Sequence, residues 1–401
     1  MKMYKRIYSA IIADHLAKYR QMIFLSGPRQ VGKTTLATES ANTYVSWDRE
    51  KDRQLVLSGV DAVAEKFGVA SPTAGVMPVV AFDEIHRYSK WKTFLKGFFD
   101  SFERNCRVIA TGSARMDVYK RGGDSMMGRY FPYRIHPLSV GELVSSAIPD
   151  ESLVHAPLPI ADDDWQALLR FGGFPEPFTS RDVRFQKKWQ RLRAEQLLRE
   201  DIRDLTRTTD LDLIERLARL LANRSGEMLV YASLAREINV SEPTVKTWVS
   251  VLKSLYYGFE IRPWFKNIEN SLRKTSKWYL RDWSAIEDEG RRNETFIACH
   301  LLKAVELWTD IGLGDYALYY IRDKQKHEVD FLVTKDGKPW FLVEAKSSET
   351  SISPVLGKVQ AAIRARHAFQ IVVNMPFVNA NAFDFTRPVI VSARTFLSQL
   401  P

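Results

Sequence analysis

The chain has 401 residues, of which 45% are hydrophobic and 26% are charged, and its formal net charge is +10 at pH 7. This composition predicts two or three folded domains and excludes a largely disordered chain. No apolar run approaches the roughly 18 residues that a membrane-spanning helix needs, so we expect no membrane span. The positive charge is compatible with nucleic acid, acidic proteins or an anionic membrane surface as partners and does not choose between them.

The N-terminus and the cysteines indicate a cytoplasmic protein. The basic start of the chain is followed by an apolar stretch that Asp14, His15 and Lys18 interrupt, which is not typical of a signal peptide. Cys106 and Cys299 are far apart in the sequence and form neither a disulfide pattern nor a metal-binding pattern.

The first predicted strand leads into a phosphate-binding loop. The apolar run Met22–Leu25 favours a buried parallel strand. The residues after it fit the pattern G-x-x-x-x-G-K-[ST]. They are Gly27, Pro28, Arg29, Gln30, Val31, Gly32, Lys33 and Thr34, with Thr35 continuing into a helix. A strand, a glycine-rich turn and a helix N-terminus in this order direct backbone N–H groups at a bound phosphate.

We expect different residues of this loop to have different roles in ATP binding. Gly27 and Gly32 allow the backbone to pass close to the phosphates, because they have no Cβ. We expect Lys33 to reach the β- and γ-phosphates and the Thr34 hydroxyl to bind Mg²⁺. The alternative is a chance match in a glycine turn, which the flanking strand and helix disfavour.

Two later apolar runs predict further strands of the same parallel sheet. Tyr44–Asp48 is the second predicted strand, and Val79–Glu84 is the third. The third ends in two acids, of which Asp83 is expected to orient Mg²⁺ and Glu84 to polarise the attacking water. Taken alone, the run is equally compatible with a core strand that enters a solvated loop.

The fourth predicted strand, Arg107–Ser113, ends in small polar residues. In a parallel sheet such residues lie at the carboxyl edge, where ligands bind. Thr111 or Ser113 is therefore a candidate for contact with the γ-phosphate, the alternative being an ordinary turn. Between the third and fourth strands, Trp91–Phe102 has the aromatic spacing of a helix that packs on the sheet.

These motifs resemble the ATPases of the AAA-plus and STAND groups and, more closely, a large prokaryotic family of two-part ATPases. The resemblance extends over nearly the whole chain, and the following segments carry it: Gly27–Thr35, Asp83–His86, Thr111–Ser113, Gly128-Arg129 and Pro137–Ser139. Related ATPases complete their sites with an arginine from a neighbouring subunit, which implies self-association. Arg115 and Arg129 are the candidates, and Arg129 matches the family's Gly-Arg pair. For each, a structural salt bridge is the alternative.

The middle of the chain is predicted to be helical. Prolines in 148–160 mark a connector, and 164–221 has a helical pattern that the turn at 171–177 interrupts. By resemblance this region is a lid that covers the nucleotide. Residues 229–265 then resemble a winged helix-turn-helix, with a helix at Tyr231–Ile238 and Ser241 as the N-cap of the next helix.

One face of that second helix is a candidate nucleic-acid surface. It carries Thr244, Lys246, Thr247, Ser250 and Lys253. Such a face fits a DNA major groove. Winged helices in ATPases of this kind also serve as packing modules or protein contacts, so both alternatives remain open.

The C-terminal region resembles the PD-(D/E)XK nuclease fold. Two predicted strands, His327–Val333 and Trp340–Lys346, flank an Asp-Gly hairpin turn. Asp330, Glu344 and the upstream helical Glu294 are the expected ligands of a second Mg²⁺, with Lys346 orienting a water. The alternative is a hairpin with one salt bridge to Lys346. Val329 stands where nucleases often have proline.

The sequence thus predicts an α/β protein. Its parts are a P-loop parallel sheet with helices on both faces, a helical and winged-helix middle, and a restriction-endonuclease-like α/β end. The predicted domains are an ATPase at 1–150, a lid at 151–225, a winged helix at 226–268 and a nuclease-like domain at 269–401. The predicted function is Mg²⁺-dependent ATP binding and hydrolysis that drives a conformational switch. The alternatives are an ATP-gated DNA nuclease and a nucleotide-loaded scaffold that recruits protein partners.

Overall fold

The computed structural model describes residues 4–70, 77–112, 126–202, 210–264, 275–322, 327–349 and 351–401. The chain divides into two compact units. The smaller is Lys5–His136, and the larger comprises Tyr4 and Pro137–Pro401. Residues 137–150, which the sequence analysis grouped with the ATPase domain, thus belong to the larger unit. The finer division into a lid, a winged helix and a nuclease-like domain stays a prediction.

The smaller unit contains a five-stranded sheet in which all neighbouring strands are parallel. Its strands are β1 (Met22–Ser26), β2 (Thr43–Ser46), β3 (Val79–Asp83), β4 (Arg107–Thr111) and β5 (Tyr130–Arg134). Their order is β2-β3-β4-β1-β5. The predicted parallel sheet is therefore confirmed. Because parallel strands end at the same edge, the loop after β1 lies on the same edge as the ends of β3 and β4.

Strand β5 was not predicted from the sequence. It contains Pro132 and exposes Phe131, so it has neither the continuous apolar run nor the alternation of the other strands. β5 is an edge strand that pairs with β1 alone in the order of the sheet. Proline is tolerated there because an edge strand has N–H groups that need no partner in the sheet.

The described part of the smaller unit also contains five α-helices, which precede its first strand or lie between its strands in sequence. They are α1 (Ile7–Lys18), α2 (Lys33–Ser40), α3 (Glu50–Leu57), α4 (Val60–Lys66) and α5 (Trp91–Phe102). The predicted aromatic face of α5 is buried. Its Phe94 and Phe98 rings meet the ring of Phe82 edge-on, at 5.5 and 5.2 Å between centroids. These contacts bind α5 to β3 and so fix the strand that carries Asp83.

The larger unit begins with helices. They are α6 (Val140–Val144), α7 (Asp162–Phe171), α8 (Pro175–Ser180), α9 (Val183–Glu195), α10 (Leu211–Asn223), α11 (Tyr231–Ile238) and α12 (Glu242–Ser254). A π-helical segment, Gln196–Asp201, continues α9. The predicted turn between α7 and α8 is confirmed, and so is the Ser241 cap, whose side chain accepts a hydrogen bond from the Thr244 N–H. None of the described helices has both the length and the hydropathy needed to cross a bilayer.

A seven-stranded sheet forms the rest of the larger unit. Its strands are β6 (Gly258–Pro263), β7 (Lys277–Leu280), β8 (Tyr316–Arg322), β9 (Glu328–Lys335), β10 (Lys338–Lys346), β11 (His367–Val372) and β12 (Val389–Ser392). Its helices are α13 (Glu289–Asp310), α14 (Pro354–Ile363) and α15 (Ala393–Ser398). The order is β12-β11-β10-β9-β8-β6-β7. Strand β6, which the sequence analysis placed in the winged helix, thus joins the C-terminal sheet through parallel pairing with β8.

A buried ion pair explains why residues 137–150 belong to the larger unit. The Lys303 ammonium on α13 lies 2.6 Å from a carboxylate oxygen of Glu142 on α6. It also donates a hydrogen bond of 2.8 Å to the Ser139 hydroxyl. Breaking a buried pair leaves an uncompensated charge, which costs roughly 3–5 kcal/mol. The segment is therefore held against α13.

Candidate functional site

The loop after β1 has the backbone geometry of a phosphate cradle. Gly27 has φ +149°, and a Cβ added there would lie 2.4 Å from the Ile135 carbonyl oxygen. Gly32 has φ +99° and directly precedes α2. Both positions require glycine, one for lack of space and both for their positive φ. The predicted loop, with its glycines at the predicted turns, leads into the N-terminus of a helix, where N–H groups are available to an anion.

The Lys33 side chain is folded back onto the loop. Its ammonium donates hydrogen bonds of 2.9 Å to the Gly27 carbonyl and 2.8 Å to the Pro28 carbonyl. The side chain is 6% exposed. A cation held at this position neutralises charge on any phosphate that enters the loop.

Asp83 lies beside Thr34, as expected for the two protein ligands of a magnesium ion. The Thr34 hydroxyl is 3.2 Å from both carboxylate oxygens of Asp83. These residues are 49 positions apart in sequence, and the parallel sheet brings them together. A carboxylate and a hydroxyl are the oxygen ligands that Mg²⁺ prefers, so the residues present fit this ion.

Two further hydroxyl groups hold the Asp83 carboxylate. The Tyr44 hydroxyl on β2 donates a hydrogen bond of 2.6 Å to one oxygen. The Thr111 hydroxyl at the end of β4 donates to the other. Thr111 was a candidate for phosphate contact, and the structure shows it bound to Asp83. Burial and the hydrogen bond to Asp83 raise the pKa of Tyr44, so the phenol stays protonated and continues to donate.

The backbone of Glu84 differs from that of the strand residue Asp83 before it. Its φ of +52° is in the left-handed region, which turns the chain sharply after β3. Its N–H donates a hydrogen bond of 3.1 Å to the Thr111 hydroxyl. Burial raises the pKa of the Glu84 carboxyl, although Lys33 acts in the opposite direction. A carboxylate with a raised pKa is a stronger base toward water.

Of the two candidates for an arginine that completes a neighbour's site, the structure describes Arg129. Arg129 forms two contacts with Asp100, at 2.7 and 3.0 Å. Its carbonyl accepts a hydrogen bond from the Met22 N–H, at the amino end of β1. Arg129 thus lies at the sheet edge opposite to the phosphate loop of its own unit. Ser113 and Arg115 lie outside the described residues.

Two contact residues of the phosphate site were not found from the sequence. Tyr44, which donates to Asp83, was predicted only as part of a strand. Arg6 donates hydrogen bonds of 2.8 Å to the Val31 carbonyl and 2.6 Å to the His136 carbonyl. Neither side chain belongs to a local motif, and the partner of each lies far away in sequence.

Replacing Tyr44 with phenylalanine is expected to raise the Mg²⁺ concentration needed for half-maximal ATP turnover. The change removes a hydrogen bond to a charged group, worth roughly 1.5–3 kcal/mol, so a shift of roughly ten- to a hundredfold is expected. Turnover at saturating Mg²⁺ should change much less. Steady-state phosphate release across a Mg²⁺ series measures both quantities. Tyr88→Phe, on a ring stacked against Trp47 at 4.9 Å, is the matched control, and an equal shift in that variant would contradict the role of Tyr44.

The acids of the C-terminal region share one face of the sheet. Strands β9 and β10 form the predicted hairpin, and Val343 pairs with Phe331. Continuing that register places Glu344 opposite Asp330, so their side chains leave the same face. The Asp330 carboxylate accepts a hydrogen bond of 2.9 Å from the Ala345 N–H. Lys346 lies 3.2 Å from Glu344, which is the salt bridge of the alternative interpretation.

These acids are close enough to affect one another. Burial and the nearby Asp330 carboxylate raise the pKa of Glu294 to about 7 and that of Glu344 to about 7. A lysine that the sequence analysis did not consider, Lys277 on β7, lies among them and contacts three carboxylates. Within the described residues, no group of three His, Cys, Asp or Glu side chains is arranged to hold a metal ion.

The candidate nucleic-acid face lies on α12. Its opposite face is buried as predicted, through Val245, Trp248, Val249 and Leu252. Both lysines of the candidate face contact acids: Lys246 lies 2.7 Å from Glu242, and Lys253 lies 2.8 Å from Glu260. Part of the positive charge expected to meet DNA is thus compensated within the protein.

The first part of the chain is similar to a known domain family. An AAA domain model matches residues 19–144. This range includes the loop, Asp83 and Thr111, so the match and the five-stranded parallel sheet together support a P-loop ATPase domain. Two domains of unknown function match later parts, DUF8612 at residues 162–286 and DUF4143 at residues 289–377.

The curated relatives of the chain include proteins from bacteria and an archaeon. Uncharacterized proteins of Mycobacterium bovis and Mycobacterium tuberculosis are each 26% identical over 349 residues, covering 83% of this chain and 72% of theirs. An uncharacterized protein of Methanocaldococcus jannaschii is 25% identical over 309 residues, covering 68% of this chain and 64% of its own length.

Solved structures with some likeness include the ORC1 protein of Aeropyrum pernix in complex with DNA and AMPPCP-bound DnaA from Aquifex aeolicus. Each is 12% identical with a TM-score of 0.31. The alignments cover 74% and 63% of this chain, and 93% and 89% of the other chains.

Proposed function

We propose that this protein binds ATP with Mg²⁺ at the Gly27–Thr34 loop and hydrolyses it, and that the change of nucleotide switches its conformation. One observation carries the proposal. The Thr34 hydroxyl at the start of α2 and the Asp83 carboxylate at the end of β3 meet at 3.2 Å, beside a loop whose lysine is already positioned. A sheet edge that collects these groups has the parts that phosphoryl transfer needs.

The residues of the site have distinct roles in this proposal. The loop N–H groups and Lys33 bind the phosphates, and Lys33 exchanges its two carbonyl partners for phosphate oxygens. Thr34 and Asp83 would hold Mg²⁺, which when bound neutralises charge on the β- and γ-phosphates. Glu84 holds the attacking water and draws its proton, since its raised pKa strengthens it as a base. The Thr111 hydroxyl connects the two acids, because it donates a hydrogen bond to Asp83 and accepts one from the Glu84 N–H.

Binding of a fluorescent ATP analogue, with Mg²⁺ and with EDTA, tests the first step. We expect tighter binding in Mg²⁺, because Thr34 and Asp83 contribute only through the ion. Thr34→Val keeps the shape of the side chain and removes the hydroxyl, so it should lose most of the Mg²⁺-dependent gain. Thr38→Val, one turn further along α2, is the matched control. Equal affinity of the wild-type protein in Mg²⁺ and EDTA would contradict the assignment of Thr34 and Asp83.

DNA is a proposed partner, supported by the net charge of +10 and by the exposed Lys246 on α12. If the protein binds duplex DNA, log affinity should fall linearly with log salt at a slope of roughly −0.9 per phosphate contact. Lys246→Gln should make the slope shallower by roughly one unit, whereas Lys358→Gln on α14 should not change it. Fluorescence anisotropy with a labelled duplex measures both slopes. Absence of binding at roughly 50 mM salt would exclude DNA and favour a protein partner.

A nucleotide-loaded scaffold remains the alternative for the ATPase part of the chain. It differs from the proposed switch in having little hydrolysis. The positions of Glu84 and Asp83 favour hydrolysis, because a scaffold has no use for a second carboxylate beside the magnesium ligand. The contribution of Arg129 to the site of a neighbouring copy also stays a proposal, and requires that it leave Asp100.

A further inference from the structure

A buried lysine lies at the centre of the C-terminal acidic cluster. Lys277, on β7, is 4% exposed. Its ammonium lies 2.6 Å from Glu328, 3.3 Å from Glu294 and 3.6 Å from Asp330. A buried ammonium with carboxylates on several sides has the surroundings that a bound metal ion would otherwise have.

The local structure directs this side chain into the cluster. Residues i and i+2 of a strand face the same side, so Lys277 and Tyr279 extend together from β7. The Tyr279 hydroxyl donates a hydrogen bond of 2.6 Å to Glu294. It donates to the same oxygen, Oε1, that Lys277 approaches. β7 therefore supplies two donors to the one acid that comes from α13.

The charges of the cluster are nearly balanced by the protein itself. Glu294, Glu328, Asp330 and Glu344 supply the negative charge. Lys277 contacts three of them, Lys346 lies 3.2 Å from Glu344, and Arg322 lies 3.7 Å from Glu328. Little uncompensated charge remains to attract a divalent ion.

The acids predicted to bind a second Mg²⁺ do not fit that ion in this arrangement. An ion held by both Glu294 and Asp330 needs oxygens at about 2.0–2.1 Å. It would have to lie between two oxygens that the Lys277 ammonium already contacts, while Glu344, the third predicted ligand, has its Oε1 in contact with the Lys346 ammonium. Glu294 Oε1 also accepts from Tyr279, and Asp330 Oδ2 accepts from the Ala345 N–H. The ion would displace a side chain rather than enter an open site.

We infer that Lys277 is the resident cation of this cluster, and that the C-terminal sheet therefore binds no divalent metal there and does not cut nucleic acid. The cluster instead connects α13 to the sheet through charge, with Glu294 on the helix and Lys277 on β7. This inference stands whether or not the smaller unit hydrolyses ATP.

Manganese binding by the nucleotide-free chain tests the inference. Mn²⁺ suits the same carboxylate ligands as Mg²⁺, and its free form is counted by electron paramagnetic resonance. The wild-type protein and Asp330→Asn should give the same Mn²⁺ isotherm, because the cluster contributes no site. Lys277→Met keeps the length of the stem and removes the charge, so it should gain one Mn²⁺ site. Adding Asp330→Asn to that variant should remove the site again.

The control variant is Lys338→Met, which replaces an exposed lysine on β10. It should bind Mn²⁺ as the wild type does. A Mn²⁺ site in the wild-type protein that Asp330→Asn or Glu294→Gln removes would overturn the inference. A folded Lys277→Met protein that gains no site would also overturn it. If Lys277→Met does not fold, the comparison of the wild type with Asp330→Asn decides alone.

Discussion

Replacing Lys33 with alanine is expected to lower ATP turnover by roughly 10²–10³-fold, the effect of removing one positioned charge-stabilising donor. Lys33 is the cation that the loop holds in place, through its contacts with the Gly27 and Pro28 carbonyls. Without it, the charge that develops on the phosphate oxygens is less well compensated. Steady-state phosphate release measures the loss, and binding of a fluorescent ATP analogue shows how much of it is lost affinity.

The control for this variant is Lys51→Ala, which removes an exposed lysine from α3 of the same unit. Its turnover should equal that of the wild type, and both variants should be compared by thermal unfolding. A folded Lys33→Ala protein with unchanged affinity and turnover would exclude the Gly27–Thr34 loop as the nucleotide site.

Replacing Glu84 with glutamine is expected to leave ATP bound but to slow its hydrolysis by roughly 10²–10⁴-fold, the range for loss of a general base. Glutamine keeps the size of the side chain and the left-handed turn but cannot accept the proton of water. Asp83 and Thr34 are unchanged, so affinity for ATP with Mg²⁺ should stay close to that of the wild type. Single-turnover hydrolysis and equilibrium binding measure the two quantities separately.

Glu65→Gln, at an exposed position on α4, is the matched control for Glu84→Gln and should hydrolyse ATP as the wild type does. In the wild-type protein, turnover should also fall as the pH drops through the raised pKa of Glu84, because the protonated carboxyl cannot act as a base. If Glu84→Gln hydrolysed ATP at the parental rate, a different residue would have to activate the water.

The phosphate site was predictable because each of its parts has its own local pattern in the sequence. The loop is a continuous pattern, and Asp83 and Glu84 follow an apolar strand, so their positions follow from the order of a parallel sheet. Thr111 was predicted at the correct edge, but its partner was not. Its hydroxyl binds Asp83, which depends on how far two strands extend past one another, and no local pattern shows this.

Contacts of residues that belong to no recognised motif were not predictable. Tyr44 lies 39 positions from Asp83, and Arg6 lies 25 positions from Val31. Arg129 was predicted from a Gly-Arg pair, yet its position at the amino end of unpredicted strand β5 separates it from the loop of its own unit. Strand β5 was missed because Pro132 argues against a strand in the sequence, although proline is tolerated in an edge strand.

The C-terminal cluster shows a limit of short motifs. Asp330, Glu344 and Lys346 were correctly expected on adjacent strands, and the side chains of the two acids share a face. The motif contains no information about β7, whose Lys277 comes from a different part of the sequence. The sequence around Lys277, the first residue of β7, gives no sign of burial, and only the assembled sheet shows that its ammonium is buried among acids.

Phosphate release from ATP by the wild-type protein, in Mg²⁺ and in EDTA, is the most direct test of the proposed ATPase. Release should be sustained in Mg²⁺, absent in EDTA, and lost when Lys33 is replaced by alanine in a parallel preparation. A wild-type protein that binds ATP with Mg²⁺ but releases no phosphate would contradict the account and leave the nucleotide-loaded scaffold as the function of this chain.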